Sequence, residues 1–399
     1  MLNHKKIEAL EQFPTPFYFY DINLLRDTLK ELKEQSNSLG FTVHYAIKAN
    51  ANHRILSEIA SLGFGADCVS GNEVKLAIEC GFNPQKIVFA GVGKTNTEIE
   101  FSLDKNIFCF HCESVQELEV INQLAKQRSV IAKVALRLNP DVKANTHAHI
   151  TTGLTENKFG LSTEEVYEVK RILPDLENIS LIGLHFHIGS QITNLEVFKE
   201  LSLKANQLEA ELFPDSKFSY INLGGGLGID YTNPQSNTIP DFKGYLSTFK
   251  DNLNNIPERN VHFELGRSVV GQCGSLVTKV TFIKGTSTHQ FAIVDAGMND
   301  LIRPALYDAS HKIINLTSKG EISKYDVVGP VCESADCFAK SIELPQVQRG
   351  DLLAILSSGA YGEVMSSRYN MREITGVVYS DEINTEKQTI KRSSNTHFI

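Results

Sequence analysis

The chain has 399 residues, 42% of them apolar and 22% charged, and carries a net charge of −8. That length exceeds one ordinary core, so two domains or one large barrel with an addition are expected, and the composition is that of a folded globular chain. The mild acidity argues against nucleic acid as the main partner, because a phosphate backbone demands a basic surface.

The opening MLNHKKIEALEQFPTPF has no apolar stretch of the kind that heads a secretory signal. Nowhere does an apolar run reach the roughly 18 residues of a membrane span, so no membrane partner is expected. The seven cysteines are scattered; one pair, Cys109 and Cys112 in CFHC, stands at CxxC spacing, with no second pair to complete a zinc site. Free thiols and a cytoplasmic location follow as expectations, with no disulfide framework and no metal site.

From residue 41 onward, short β-rich runs alternate with helical patterns. The runs are FTVHYAIK (41–48), GADCVS (65–70), KIVFAG (86–91), IFCFHCES (107–114), VIAKVALRLNP (130–140), LIGLHFHIGS (181–190), YINLGGG (220–226) and VHFELGR (261–267). Between them, NHRILSEIASLG and SGNEVKLAIECG carry apolar residues at helical spacing and end in Gly, a helix stop. Eight such units in sequence predict an α/β fold, a (β/α)8 TIM barrel over residues 25–268. The polar stretch 141–160 reads as a long barrel loop, with His147 and His149 facing solvent. After residue 268, GSLVTKVTFIKG, QFAIVDAG, YDVVGPV and DLLAILSSGAYG read as strands with few helices between them, which predicts a C-terminal all-β domain over 269–399. Residues 1–24, with PFYFYD, are expected to join it, and the polar last twenty residues to be mobile.

Barrel enzymes carry their chemistry at the C-terminal ends of the strands. Lys48 ends the first run, His187 the sixth, Gly224, Gly225 and Gly226 the seventh, and Glu264 to Arg267 the eighth. A lone lysine past a strand is ordinarily a surface cation. One that points into a barrel mouth loses its proton readily when buried and then attacks carbonyl carbon, which suits a Schiff base. NLGGGLG (222–228) is either a flexible turn or a place where backbone N–H groups converge on an anion. It fails the GxGxxG spacing, because position 229 is Ile. AGVGKT (90–95) fails the nucleotide P-loop, because its first glycine would fall on Val88.

HFH (185–187) supports two readings. The pair could bind a metal on one strand face, although no further His/Asp cluster at the strand ends completes a ligand set. Alternatively His187 lies flat against a cofactor ring. In FELGR, Glu264 and Arg267 form a surface ion pair or, in a barrel mouth, a partner for a protonated ring nitrogen and a bidentate carboxylate clamp. Cys332 is followed directly by Glu333 in CESADC, whereas a lone cysteine is ordinarily a small buried hydrophobe.

Together YAIKAN, GLHFHIGSQI, NLGGGLG, FELGR, IRPALY, GPVCESAD and GAYGEVMSSRYN resemble, in order and spacing, the fold-type III pyridoxal-phosphate (PLP) decarboxylases, whose barrel is alanine-racemase-like. The likeness runs from about residue 15 to 372 and is greatest to the diaminopimelate-specific branch. It implies PLP bound covalently through Lys48, with His187 stacked on the ring. It also implies a phosphate held by Ser190 and Gly224–Gly226 with help from Gly266 and Arg267, Glu264 on the pyridine nitrogen, and Tyr361 closing the site. Arg303, Tyr307 and Arg267 resemble a clamp for the substrate's distal carboxylate, Glu333 its ammonium partner, and Cys332 a proton donor supplied by the neighbouring subunit. A homodimer with shared active sites is thereby implied, acting on a small amino acid: decarboxylation of meso-2,6-diaminopimelate to L-lysine and CO2. The alternatives are the same chemistry on carboxynorspermidine, ornithine or arginine, a non-enzymatic PLP carrier, or a metal-dependent barrel hydrolase built on HFH. The chain departs from the family pattern at Leu265, where Pro is usual, and Ala335, where Gly is usual.

Overall fold

The computed structural model describes residues 4–142, 158–254, 259–286 and 289–383. A first strand, β1 (Phe17–Tyr20), precedes eight parallel strands that close on themselves: β2 (Thr42–Ala46), β3 (Gly65–Cys68), β4 (Ile87–Phe89), β5 (Cys109–Cys112), β6 (Ala132–Leu138), β7 (Ile179–Phe186), β8 (Tyr220–Asn222) and β9 (Asn260–Leu265). All eight fall within the runs expected to form them or overlap them by most of their length. Closure is made by β9 on β2, with Phe263 opposite Val43 and Leu265 opposite Tyr45.

The helices between the strands start where the side chains dictate. Asn52, Ser70, Thr95, Ser114, Ser162 and Asp241 each cap a barrel helix by accepting from its first-turn backbone N–H groups. Thr95 with Glu98 and Ser162 with Glu165 complete reciprocal capping boxes, and each such cap is worth about 1 kcal/mol. The two glycines expected to stop helices, Gly63 and Gly81, both take positive φ (75° and 95°). AGVGKT has a structural role. The Lys94 ammonium is 1% exposed, donates to the carbonyls of Gly91 and His111 and pairs with Glu117 at 2.5 Å, while Thr95 caps the next helix.

Beyond the barrel, β10 (Gly274–Gly285), β11 (Gln290–Val294), β12 (Ile313–Asn315), β13 (Ile322–Val328), β14 (Cys337–Pro345) and β15 (Leu352–Ile355) form a sheet in the order β12-β15-β10-β11-β13-β14. The N-terminal strand pairs with it: β1 runs antiparallel to β10 and parallel to β16 (Gly376–Tyr379). Phe17, Phe19, Val277, Leu352 and Val378 pack together across these strands. A larger continuous core runs from barrel residues such as Phe89, Leu136 and Phe263 to Leu276, Leu353 and Ile355 of the sheet, so the two parts are fused rather than hinged. No helix among the described residues is long and apolar enough to cross a membrane. His147, His149 and most of the 141–160 loop lie outside the described residues, as do residues 384–399.

Candidate active site

Parallel closure sends every strand's C-terminal end to one face, and there a cavity opens. Of the side chains singled out from the sequence, Lys48, His187, Ser190, Gly226, Glu264, Gly266, Arg267 and Tyr361 line it. Tyr361 comes from the β-sheet side; its backbone N–H donates to the Ala49 carbonyl at 2.7 Å, pinning the sheet domain to the barrel mouth. The three glycines after β8 are not equivalent. The N–H of Gly224 donates to Asn222 Oδ1 (2.8 Å) and that of Gly225 to His187 Nδ1 (3.3 Å), so these two donors turn inward instead of converging on an anion. Gly225 is required for packing, since a Cβ there would lie 1.9 Å from the Glu264 carbonyl. Gly226, at φ 106°, is the one that reaches the cavity.

Lys48 sits in the short turn Ile47–Ala49 directly after β2. Its Nζ is 3.2 Å from Asp67 Oδ2, and Asp67 is fully buried with its other oxygen unpartnered. The expectation that burial would free the lysine of its proton is corrected here. Burial does pull that way, but the charges of Asp67 and Glu264 and the hydrogen bond to Asp67 outweigh it and hold Nζ as an ammonium above its ordinary range.

Below the cavity the barrel interior is polar. Glu264 Oε1 accepts from Asn222 Nδ2 at 2.8 Å, and Oε2 meets His185 Nε2 at 3.2 Å. His111 Nδ1 approaches Oε1 at 3.3 Å, off the line of a well-formed hydrogen bond. Burial alone would raise the carboxyl, but His185 and His111 hold it well below its usual range, so Glu264 is an anion. The reading that no second cluster accompanies HFH is also corrected: His185, not His187, joins His111 and Glu264, with candidate ligand atoms within 4.8 Å of one another. The His111 and His185 rings are stacked with centroids 4.0 Å apart, so their nitrogens reach the carboxylate side by side rather than converging on a point between them.

Two guanidinium groups share a single hydroxyl beside the cavity; Arg267 lines it, whereas Arg303 and Tyr231 stand behind Arg267 and do not. Arg267 Nη1 and Arg303 Nη1 each donate to Tyr231 Oη at 2.7 Å. Arg267 also donates to Ser190 Oγ (3.1 Å), and its Cζ stands 4.8 Å from the Tyr361 ring centre. Arg303 donates to His311 Nε2 at 3.2 Å, and His311 Nδ1 donates to the Leu356 carbonyl at 2.9 Å. Both arginines are buried, and among the described residues neither has a carboxylate within ion-pair distance. Burial lowers the pKa of Arg303, and the like charge of Arg267 adds to the fall.

Tyr307 ends the helix Arg303–Tyr307 half-buried and does not line the cavity. Cys332 and Glu333 lie exposed on the same chain's surface: the Cys332 N–H donates to Asn370 Oδ1 (3.2 Å) and Tyr369 Oη donates to Glu333. One chain therefore does not bring Cys332 or Glu333 to its own cavity. The sequence reading missed Asp67, His111, Asn222, Tyr220, Tyr231 and His311. Asn222 and Tyr231 flank the glycine run and could have been found by asking what turns its N–H groups and what shields its arginines; the others have no local signal.

The pyridoxal-dependent decarboxylase family, in its pyridoxal binding domain, matches residues 25–271. The diaminopimelate decarboxylase of Bacteroides thetaiotaomicron is 52% identical over 379 residues, 94% of this chain and 98% of that protein. That of Aquifex aeolicus is 39% identical over 98% of this chain and 92% of its own. The crystal structure of diaminopimelate decarboxylase from Helicobacter pylori complexed with L-lysine superposes with a TM-score of 0.87 at 39% identity, covering 93% of each chain.

Proposed function

The chain belongs to the diaminopimelate decarboxylases within the pyridoxal-dependent decarboxylase family, and on that premise we propose that it converts meso-2,6-diaminopimelate to L-lysine and CO2 with pyridoxal 5′-phosphate as cofactor. The observation that carries the substrate is the arginine pair. Two buried guanidiniums with no anionic partner among the described residues are costly, and the cost is recovered when anions enter. A cofactor phosphate and a distal substrate carboxylate supply two. Ornithine or free lysine, with only an ammonium at the far end, leaves Arg303 unpaired.

The residues present fit the cofactor. The buried Nε atoms of Arg267 and Arg303 lack partners, Gly226 leaves a space that a Cβ would fill against the Gly189 carbonyl at 2.8 Å, and Glu264 is an anion facing the cavity. Ser190, Gly226, Gly266 and Arg267 would hold the phosphate, with Gly224 and Gly225 shaping the loop behind them, while His187 would lie against the ring and Lys48 Nζ would make the covalent bond. When bound, PLP supplies an electron sink for the pair released as CO2 leaves. Glu264 holds a proton at the ring nitrogen, which keeps that sink deep. Lys48 Nζ must first give up the proton that Asp67 stabilises. Arg303, with Tyr307 beside it, orients the distal carboxylate, and Tyr361 covers the mouth against water.

The reading includes a homodimer in which Cys332 Sγ enters the neighbouring site to deliver a proton to Cα and Glu333 meets the substrate ammonium there. Support comes from the exposure of both residues on their own chain, beside Tyr369 and a Met371 that is 93% exposed. It also includes a barrel domain over 25–268 and a β-domain from 1–24 with 269–399, supported by the closed β2–β9 barrel and the pairing of β1 with β10 and β16. A cytoplasmic location accords with seven cysteines that are all free thiols. The experiment is a substrate panel on the PLP-loaded protein. Lysine formed from diaminopimelate, with ornithine, arginine and carboxynorspermidine poor, is the expected outcome; turnover of ornithine or arginine with none of diaminopimelate would refute the reading.

A further inference from the structure

We propose that Asn222, Tyr220 and His111 form a hydrogen-bond relay of fixed direction that keeps Glu264 an acceptor only, and thereby sets how strongly the site selects a protonated nitrogen in the ring of its cofactor. This rests on the reading that Glu264 faces that nitrogen.

The direction follows from counting donors. The Gly224 N–H can only donate, so the Asn222 atom it meets at 2.8 Å is the carbonyl Oδ1. The Asn222 amide must then turn Nδ2 the other way, where its two protons meet Tyr220 Oη (2.9 Å) and Glu264 Oε1 (2.8 Å). Having accepted from Asn222, the Tyr220 hydroxyl spends its own proton on the acceptor 2.7 Å away, His111 Nε2. Burial holds the Tyr220 hydroxyl far above its usual range, so it keeps that proton. His111 consequently bears its N–H on Nδ1, the atom that faces Glu264 Oε1. His185 Nε2 approaches Oε2 as the third donor.

Among the described residues Asn222 and His111 thus present hydrogen to Glu264, and beside the anionic carboxylate His185 Nε2 does the same. A carboxylate has about four acceptor positions. Hydrogen bonds from Asn222 and His185 fill two, His111 Nδ1 faces Oε1 at 3.3 Å off the hydrogen-bond line, and a position on Oε2 of this cavity-lining residue is left. The vacancy accepts a donor and repels a lone pair. It also couples two ends of one cofactor site, because Asn222 orients both the glycine loop and the carboxylate. Tyr220, Asn222 and His111 are positioning residues: each acts through Glu264. The ordinary alternative, that they merely satisfy one another in a polar core, predicts no effect on ring chemistry.

The test is binding to the full-length apo-protein of PLP and of 1-deaza-PLP, which keeps the aldehyde and phosphate but replaces the ring nitrogen with CH. Wild type should prefer PLP. Tyr220→Phe frees His111 to reverse its tautomer and His111→Leu removes the donor; each should shrink that preference about tenfold, the scale of one hydrogen bond to a charged group. His111→Gln, which can accept from Tyr220 and donate to Glu264, should restore much of it. Equal losses of affinity for both ligands in the variants, or an unchanged ratio, would overturn the relay while leaving Glu264 in place. A wild type that binds both analogues alike would overturn the placement of Glu264 itself, and the relay with it.

Discussion

Ala46 of β2 and Asp67 of β3 stand in register on adjoining barrel strands, so the lysine two residues past Ala46 meets the carboxylate at 3.2 Å. The pair stores the reactive amine as an ammonium. Lys48→Ala should abolish lysine production and leave no covalent adduct after borohydride reduction, read by mass spectrometry. Asp67→Asn removes the anion that raises the amine. The pH midpoint for covalent capture of PLP by the apo-protein should then fall by about one unit or more; an unmoved midpoint would take Asp67 out of this role.

Arg303→Ala should cut kcat/KM for diaminopimelate by at least about a hundredfold, the scale of a lost buried ionic contact, while PLP affinity changes little. Tyr231→Phe is the subtler case. It removes the oxygen that both arginines share, so KM should rise about tenfold with a smaller fall in kcat. Steady-state kinetics beside PLP titration separates the two effects.

Cys332→Ala should lower kcat more than it raises KM, since proton delivery follows binding. Mixing inactive Lys48→Ala and inactive or weakened Cys332→Ala chains should restore activity, because one of the two sites in a mixed dimer then has both residues intact. No recovery after subunit exchange, verified by mass, would argue that each chain works alone.

Buried histidines make the fold sensitive to acid. Burial holds His44 and His185 down to about 4 from 6.5. Near neutral pH both folded and unfolded chains carry them uncharged, and they add no pH dependence. As pH falls through 6.5 toward 4 the unfolded chain takes up protons that the folded chain refuses, so stability drops. Each should cost about 2 kcal/mol between neutral pH and about pH 5. Urea midpoints across that range measure it, and His44→Phe should flatten the slope even if it lowers stability at neutral pH.

The barrel was legible because each strand announces itself locally, as apolar β-rich runs at even spacing with Ser, Thr, Asn or Asp caps after them. β12, β14 and β16 were missed for the opposite reason: CFAKSIELP lies on an exposed sheet, and IIN and GVVY are only three and four residues long. Within the site, Lys48, His187, Glu264 and Arg267 could be named because they end strands. Asp67, inside β3, and His111, inside β5, read as ordinary core positions, and their roles arise from strand pairing that no local pattern encodes. The arginines were legible as charges, whereas Tyr231 between them required the fold.

β1 lies between β10 and β16, so a segment from the beginning of the chain is clasped by strands from the far end. A ribosome releasing this polypeptide must therefore deliver residue 376 and beyond before the clasp can shut. Until then Phe17 and Phe19 lack Val378, one neighbour of their packing cluster. A nonsense or frameshift lesion that removes residues 376–379 should accordingly destabilise the protein even though every barrel strand is still made.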